Sequence, residues 1–207
     1  MLRLWRVARK LGLRSRAGKG LPPMLFFTDP ARSPDPAAII RRLPPGAAVV
    51  FRAFGAPDAV ARGRALARLA HEHGVAFWVG ADAGLAGRVG ADGLHLPERA
   101  ARRAGDIRKF KARYVVTAAA HSRRAALRAA RAGVNAIVVS PVFPSRSPSA
   151  GRPLGPRGFA TLIRGTGVPA YALGGVDMQT ARGLVHTGAR GFAAIEAFVG
   201  ANSEART

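Results

Sequence analysis

Gly90-Ala91-Asp92-Gly93-Leu94-His95-Leu96 is the stretch that decides how this chain is read. Its first glycine suits the left-handed residue that closes a helix, and the small residues behind it let the backbone turn sharply. A short apolar run then opens. The same half-motif returns as Gly133-Val134-Asn135-Ala136 and as Gly188-Ala189-Arg190-Gly191. Each copy closes a helical pattern and starts a strand-like one, which is the punctuation of a βα repeat.

Outward from that stretch, eight apolar runs can be marked: Met24–Thr28, Ala47–Arg52, Ala76–Gly80, Gly93–Leu96, Tyr114–Ala118, Ala136–Ser140, Ala170–Leu173 and Gly191–Ile195. They are nearly continuous rather than alternating, which predicts parallel strands covered on both faces. Between them Ala59–His73, Arg123–Ala132 and Met178–His186 carry helical spacing. The segments after the third and fourth runs are short, which predicts single-turn or distorted helices there.

Eight βα units have one common closed solution, so the expected class is α/β and the fold a single (β/α)₈ TIM barrel. An open doubly wound sheet competes, but it usually has fewer strands and a glycine-rich phosphate loop after the first. Here the first run passes into Thr28-Asp29-Pro30, without glycine. The predicted organisation is a basic N-terminal extension over 1–23, a barrel over 24–198 and a C-terminal tail over 199–207.

The extension carries Arg3, Arg6, Arg9, Lys10, Arg14, Arg16 and Lys19, and no acid precedes Asp29. On a helix, Leu4, Val7 and Leu11 would share one side and the basic residues an adjoining one. Ala17-Gly18-Lys19-Gly20-Leu21-Pro22-Pro23 would end that helix. Three readings stand: a leading helix that plugs the barrel bottom, a surface-binding basic arm, or translated sequence ahead of a start at Met24.

The 207 residues are 48% hydrophobic, enough for a real core, and contain no cysteine. Disulfides, thiolate metal sites and a cysteine nucleophile are thereby excluded. No apolar stretch approaches the ~18 residues of a membrane span, and no signal-peptide pattern leads the chain, so a cytoplasmic protein is expected. Of the 33 basic residues behind the net charge of +22, all but Lys10, Lys19, Lys109 and Lys111 are arginine. That skew reads as solvated helix faces, or as attraction for polyanions such as phosphorylated ligands, nucleic acid or anionic lipid. No aromatic stacking platform or recognition helix stands out, so nucleic acid is not the expected partner. A homo-oligomer is compatible with the sequence.

In a barrel the working residues lie at the C-terminal strand ends. Gly174-Gly175, closing the seventh run, would let backbone N–H groups approach an oxyanion, or would simply make a tight turn. Ser145, Arg146 and Ser147, after the sixth run, offer hydroxyls and a guanidinium suited to a phosphate, though the same Ser/Pro/Arg composition also describes a solvated loop. Arg52 would project a charge into the mouth or snorkel outward. His95 reads as a packed core histidine. His121 is better placed for acid–base work, without an assignable role. No His/Asp/Glu spacing demands a metal.

The motifs Gly90–Leu96, Ser140-Pro141-Val142-Phe143-Pro144-Ser145 and Val168-Pro169 through Leu173-Gly174-Gly175-Val176, taken in order, resemble the thiamine phosphate synthase / thiazole tautomerase (TenI-like) superfamily over about residues 24–198. Members join a hydroxymethylpyrimidine pyrophosphate to a thiazole phosphate in thiamine biosynthesis, with Mg²⁺ on the pyrophosphate. The resemblance therefore implies a transferase with a small phosphorylated substrate. It casts Arg52 as the pyrophosphate arginine, Ser145 and Ser147 as loop hydroxyls, and Gly174-Gly175 as the phosphate cradle.

The departures are as informative. On the second strand only Arg52 survives of a Gln-x-Arg-x-Lys pattern. The family's Asn-Asp pair falls on Gly80-Ala81, its second metal aspartate on Ala100 and the preceding Gly-Gln on Pro97-Glu98, leaving Asp82 and Glu98 as substitute metal ligands. Its strand-six lysine falls on Pro148, the tautomerase histidine on Pro141, and the phosphate serine after strand eight on Glu196. Three functions follow: the synthase reaction with substituted residues; a barrel that has lost it but still binds a phosphorylated or heterocyclic ligand; and a basic polyanion-binding protein.

Overall fold

The computed structural model describes residues 1–15, 18, 20–147 and 151–199. Arg16, Lys19, Pro148 and the tail over 200–207 lie outside the described residues. Eight parallel strands close into a barrel: β1 (Met24–Phe27), β2 (Ala48–Phe51), β3 (Ala76–Gly80), β4 (Gly93–Leu96), β5 (Val115–Ala120), β6 (Ala136–Val139), β7 (Ala170–Ala172) and β8 (Gly191–Ala194). β8 pairs back onto β1, with Leu25 opposite Ala193. The expected TIM barrel is the observed one.

Two apolar layers explain the continuous runs. Leu25, Phe27, Val50, Trp78, Val138 and Tyr171 fill the interior, while Phe26, Val49, Phe77, Ile137 and Phe192 face the helices. Adjacent residues on one strand thus belong to different cores, so neither face can be polar.

The half-motif turns behave as their glycines require: Gly90, Gly133 and Gly188 all have positive φ. The third residue of each turn adds a tie that its size alone does not suggest. Asp92 accepts from Phe77 N–H at 2.8 Å, Asn135 from Val116 N–H at 2.8 Å, and Arg190 donates to the carbonyls of Gly18 (3.0 Å) and Leu21. These side chains stitch the barrel bottom and leave the top free.

The leading helix α1 (Leu2–Arg14) buries Leu4, Ala8 and Leu11, with Val7 only half-buried. It packs in the outer layer against β8, so it is not itself the plug. The interior is closed from below by Leu21 and Pro22: Leu21 packs on the inner cluster, and the Tyr171 hydroxyl donates to the Pro22 carbonyl at 2.6 Å. The basic side chains Arg3, Arg6, Arg9, Lys10 and Arg14 are left exposed.

The remaining helices are α2 (Pro36–Ile40), α3 (Ala59–Glu72), α4 (Ala83–Val89), α5 (Ala104–Phe110), α6 (Arg123–Arg131) and α7 (Gly155–Ile163). Two expectations need correction. The segment after β3 forms a regular two-turn helix, α4, capped by the Asp82 carboxylate on Leu85 N–H. Met178–His186 is not an α-helix but a turn followed by a short 3₁₀ helix, Ala181–Leu184. Its start is diverted because the Asp177 carboxylate takes the N–H groups of Gln179 and Thr180, and the Thr180 hydroxyl donates to the Gly175 carbonyl. After β4 a 3₁₀ helix, Glu98–Arg103, runs into α5, as a distorted segment should. Among the described residues no helix is long and apolar enough to cross a membrane.

Candidate functional site

The C-terminal strand ends form two cavities side by side. The first, of about 540 Å³, lies over β2 to β5 and is lined by Arg52, Phe54, Asp82, Leu85, His95 and Ala119. The second, of about 530 Å³, lies over β6 to β8 and is lined by Arg32, Ser145, Arg146, Gly174, Gly175 and Glu196.

Arg52 points into the mouth, not outward. Its Nε donates to the Thr28 carbonyl at 2.7 Å, its Nη2 reaches Asp29 Oδ2 at 3.1 Å, and its guanidinium lies 5.0 Å from the Phe54 ring centroid and 5.8 Å from that of Phe27. Backbone N–H to Thr28 Oγ1 at 2.9 Å fixes the stem. Burial lowers the Arg52 pKa and Asp29 partly offsets this, but a guanidinium keeps its charge. Burial also pushes Asp29 upward; bonds and charge from Arg32 and Arg52 outweigh it and hold the carboxyl below the usual range. Phe54 and Ala81, both on this cavity, have positive φ without being glycine, a backbone cost that collects at working sites.

His95 forms part of the cavity floor. It is buried, its Nδ1 lies 2.9 Å from Thr117 Oγ1, and its ring meets Phe27 edge to face at 5.0 Å. Burial, with the nearby charges of Arg52 and His121, lowers its pKa to about 3, so the ring stays neutral at physiological pH. The folded state therefore binds fewer protons here than the unfolded chain. This contribution to stability is complete above pH about 6.5 and is lost as the pH falls towards 3. His95→Asn should flatten the acid limb of a urea-stability profile by up to about 1.4 kcal/mol per pH unit. An unaltered limb would contradict a buried neutral ring.

His121 sits apart, in a rim depression with Glu98, Arg102 and Arg128. Its Nδ1 lies 2.9 Å from the Ser140 carbonyl, an acceptor, so Nδ1 carries the proton and Nε2 is the basic nitrogen. It lines neither of the two central cavities.

Asp82 and Glu98 are not brought together. The Asp82 carboxylate caps α4, and Glu98 accepts from His121 N–H (3.0 Å) through Oε2 and from Arg128 (3.3 Å) through Oε1. Among the described residues no three His, Cys, Asp or Glu side chains gather as a metal site. Among the described residues Asp82 and Glu98 therefore do not form a Mg²⁺ donor pair.

In the second cavity Gly174 (φ 93°) and Gly175 (φ 61°) bring the backbone against the loop after β6. Phe143 N–H donates to the Gly174 carbonyl at 3.0 Å, and Val142 N–H to that of Leu173 at 2.9 Å. The N–H groups of Gly175 and Val176 have no acceptor among the described residues, so they are free to face an anion. Ser145 and Arg146 line this cavity; Ser147 N–H donates to Ser145 Oγ at 3.3 Å.

Sequence reading missed Arg32. It lines the second cavity and connects to the first through Asp29, which also holds Arg52: its Nη2 binds Asp29 Oδ2 at 2.8 Å and its Nη1 stands 4.0 Å from Glu196 Oε1. The available signal was Asp29-Pro30, a turn opener, since Asp29 Oδ1 accepts from the N–H groups of Ala31 and Arg32 and so presents the arginine inward.

The chain is 28% identical over 182 residues to the thiamine-phosphate synthase of Pyrococcus furiosus, covering 86% of this chain and 87% of that protein. It is 31% identical over 111 residues to a putative thiamine-phosphate synthase 2 of Aquifex aeolicus, covering 54% of this chain and 59% of that protein. The solved thiamine phosphate pyrophosphorylase of P. furiosus has a similar fold, with a TM-score of 0.74 at 24% identity over 88% of this chain and 89% of that one. The family model described as thiamine monophosphate synthase matches residues 26–198, nearly the whole barrel, and the chain belongs to that family.

Proposed function

We propose that this barrel works in thiamine biosynthesis, joining a hydroxymethylpyrimidine pyrophosphate to a thiazole phosphate. Family membership supplies the reaction, and the observation that carries it to this chain is the paired cavity. One half holds a guanidinium beside an aromatic ring; the other holds a glycine cradle beside two more guanidiniums. A planar pyrimidine suits the Phe54 side, with its pyrophosphate on Arg52. A phosphate monoester suits the N–H groups of Gly175 and Val176. Asp29 ties Arg52 of the first cavity to Arg32 of the second, so the two ligands would lie side by side and proximity would lower the barrier.

The family uses Mg²⁺ to neutralise the leaving pyrophosphate. In this chain Arg52 is the group that carries positive charge to that position. A cytoplasmic setting fits the substrates. The test is formation of thiamine phosphate by the purified protein from both substrates with Mg²⁺ present.

The scattered placement of Asp82 and Glu98 favours a second reading, a barrel that binds a phosphorylated heterocycle without expelling pyrophosphate. Binding of both substrates without product would select it.

A further inference from the structure

Glu196 follows β8, and its carboxylate forms part of the same wall as Gly174, Gly175 and Val176. Arg146 reaches it twice, through Nε at 3.1 Å and through Nη2, both on Oε2. Arg32 faces Oε1 at 4.0 Å while its other terminal nitrogen is held by Asp29. Both guanidiniums lining this cavity thus already face a carboxylate of the chain. Asp177 takes no part in this, because its exposed carboxylate is folded onto Gln179 and Thr180; slight desolvation raises its pKa, but those hydrogen bonds outweigh this and hold it below the usual range.

Two features of one wall are therefore opposed. The unpartnered N–H groups of Gly175 and Val176 invite an anion, and an anion supplied by the chain sits where the arginines could help to bind it. We propose that Glu196 is a built-in competitor for the phosphate seat and sets its preference between a phosphate monoester and the corresponding uncharged alcohol. This rests on the reading of the Gly174–Val176 wall as that seat. A phosphate dianion must push the carboxylate off Arg146 and then remain beside it, at a cost in like-charge repulsion. A primary alcohol meets no such repulsion and can donate a hydrogen bond to the carboxylate. Specificity here is a repulsive element rather than an extra contact.

The experiment titrates full-length wild type, Glu196→Gln and Glu196→Ala with the thiazole phosphate and with the dephosphorylated thiazole alcohol. Glutamine keeps the shape and removes the charge; alanine gives an independent neutral variant should the first fold poorly. Both variants are expected to bind the phosphate ester about tenfold more tightly or better, with alcohol affinity unchanged or reduced, never increased. In turnover the gain falls on KM for the phosphate ester and not on kcat. Equal phosphate-ester affinity in wild type and variants overturns the competitor role and leaves the seat standing. Absence of phosphate-ester binding in all three proteins overturns the seat and the competitor together.

Discussion

Arg52→Met lowers kcat/KM for the pyrimidine pyrophosphate at least ~100-fold, equivalent to about 2.7 kcal/mol, while the barrel stays folded. The expectation follows from how the side chain is held. Its stem is fixed through Thr28, its charge is balanced by Asp29, and its guanidinium sits over the Phe54 ring at 5.0 Å, so it is preorganised at the mouth. An immobilised charge pays little entropy on binding and strengthens as pyrophosphate charge builds towards departure. Methionine keeps the apolar stem and removes the fork. Arg52→Lys tests the fork separately: it retains one positive charge but neither the stacking nor the two-point contact, and activity should fall roughly tenfold. Steady-state kinetics with both substrates decide this. A near wild-type Arg52→Met enzyme would remove Arg52 from the pyrophosphate site.

Gly175→Ala destabilises the protein by about 3 kcal/mol and abolishes phosphate-ester binding. An added Cβ would meet the Pro144 carbonyl oxygen at 2.1 Å and the Phe143 backbone carbon at 3.0 Å, and the residue sits at φ 61°. Backbone, unlike the end of a flexible side chain, cannot step aside cheaply. The loop after β6 must then leave the cradle, and with it Ser145 and Arg146. For a chain of this size, 3 kcal/mol corresponds to a fall in Tm of about 6–12 °C. Gly87→Ala is the control. Gly87 lies within α4 with open space around it, so alanine there should be neutral or stabilising by about 0.5–1 kcal/mol. Similar melting losses for both variants would show that the close approach at Gly175 is not what matters.

The fold was legible because burial on two faces writes itself into a parallel strand. Phe26 and Phe27 are neighbours in sequence yet pack in different cores, and a polar residue at either would be costly. Boundaries were less legible. Tyr114–Ala118 proved to be Val115–Ala120, because alanine runs carry no mark of where pairing stops. Met178–His186 failed as a helix for a local reason: Asp177 and Thr180 offer the backbone a side-chain turn that competes with helical bonding. Ala8 was overlooked in favour of Val7, since alanine buries fully where a helix lies close to a strand.

At the mouth, Arg52 and the paired glycines could be found from position in the βα repeat. The bridge of Asp29, Arg32, Glu196 and Arg146 could not. Its members come from the loops after β1, β6 and β8, and only barrel closure brings those loops together. His95 was legible as a packed histidine, and the ring is indeed buried against Phe27 and Thr117.

Isothermal titration of the purified protein with the pyrimidine pyrophosphate, with and without Mg²⁺, reaches the central claim most directly. Saturable one-site binding that Arg52→Met abolishes is the predicted result. No binding heat in either condition would contradict the account and would mean that this barrel has given up its family's pyrophosphate substrate.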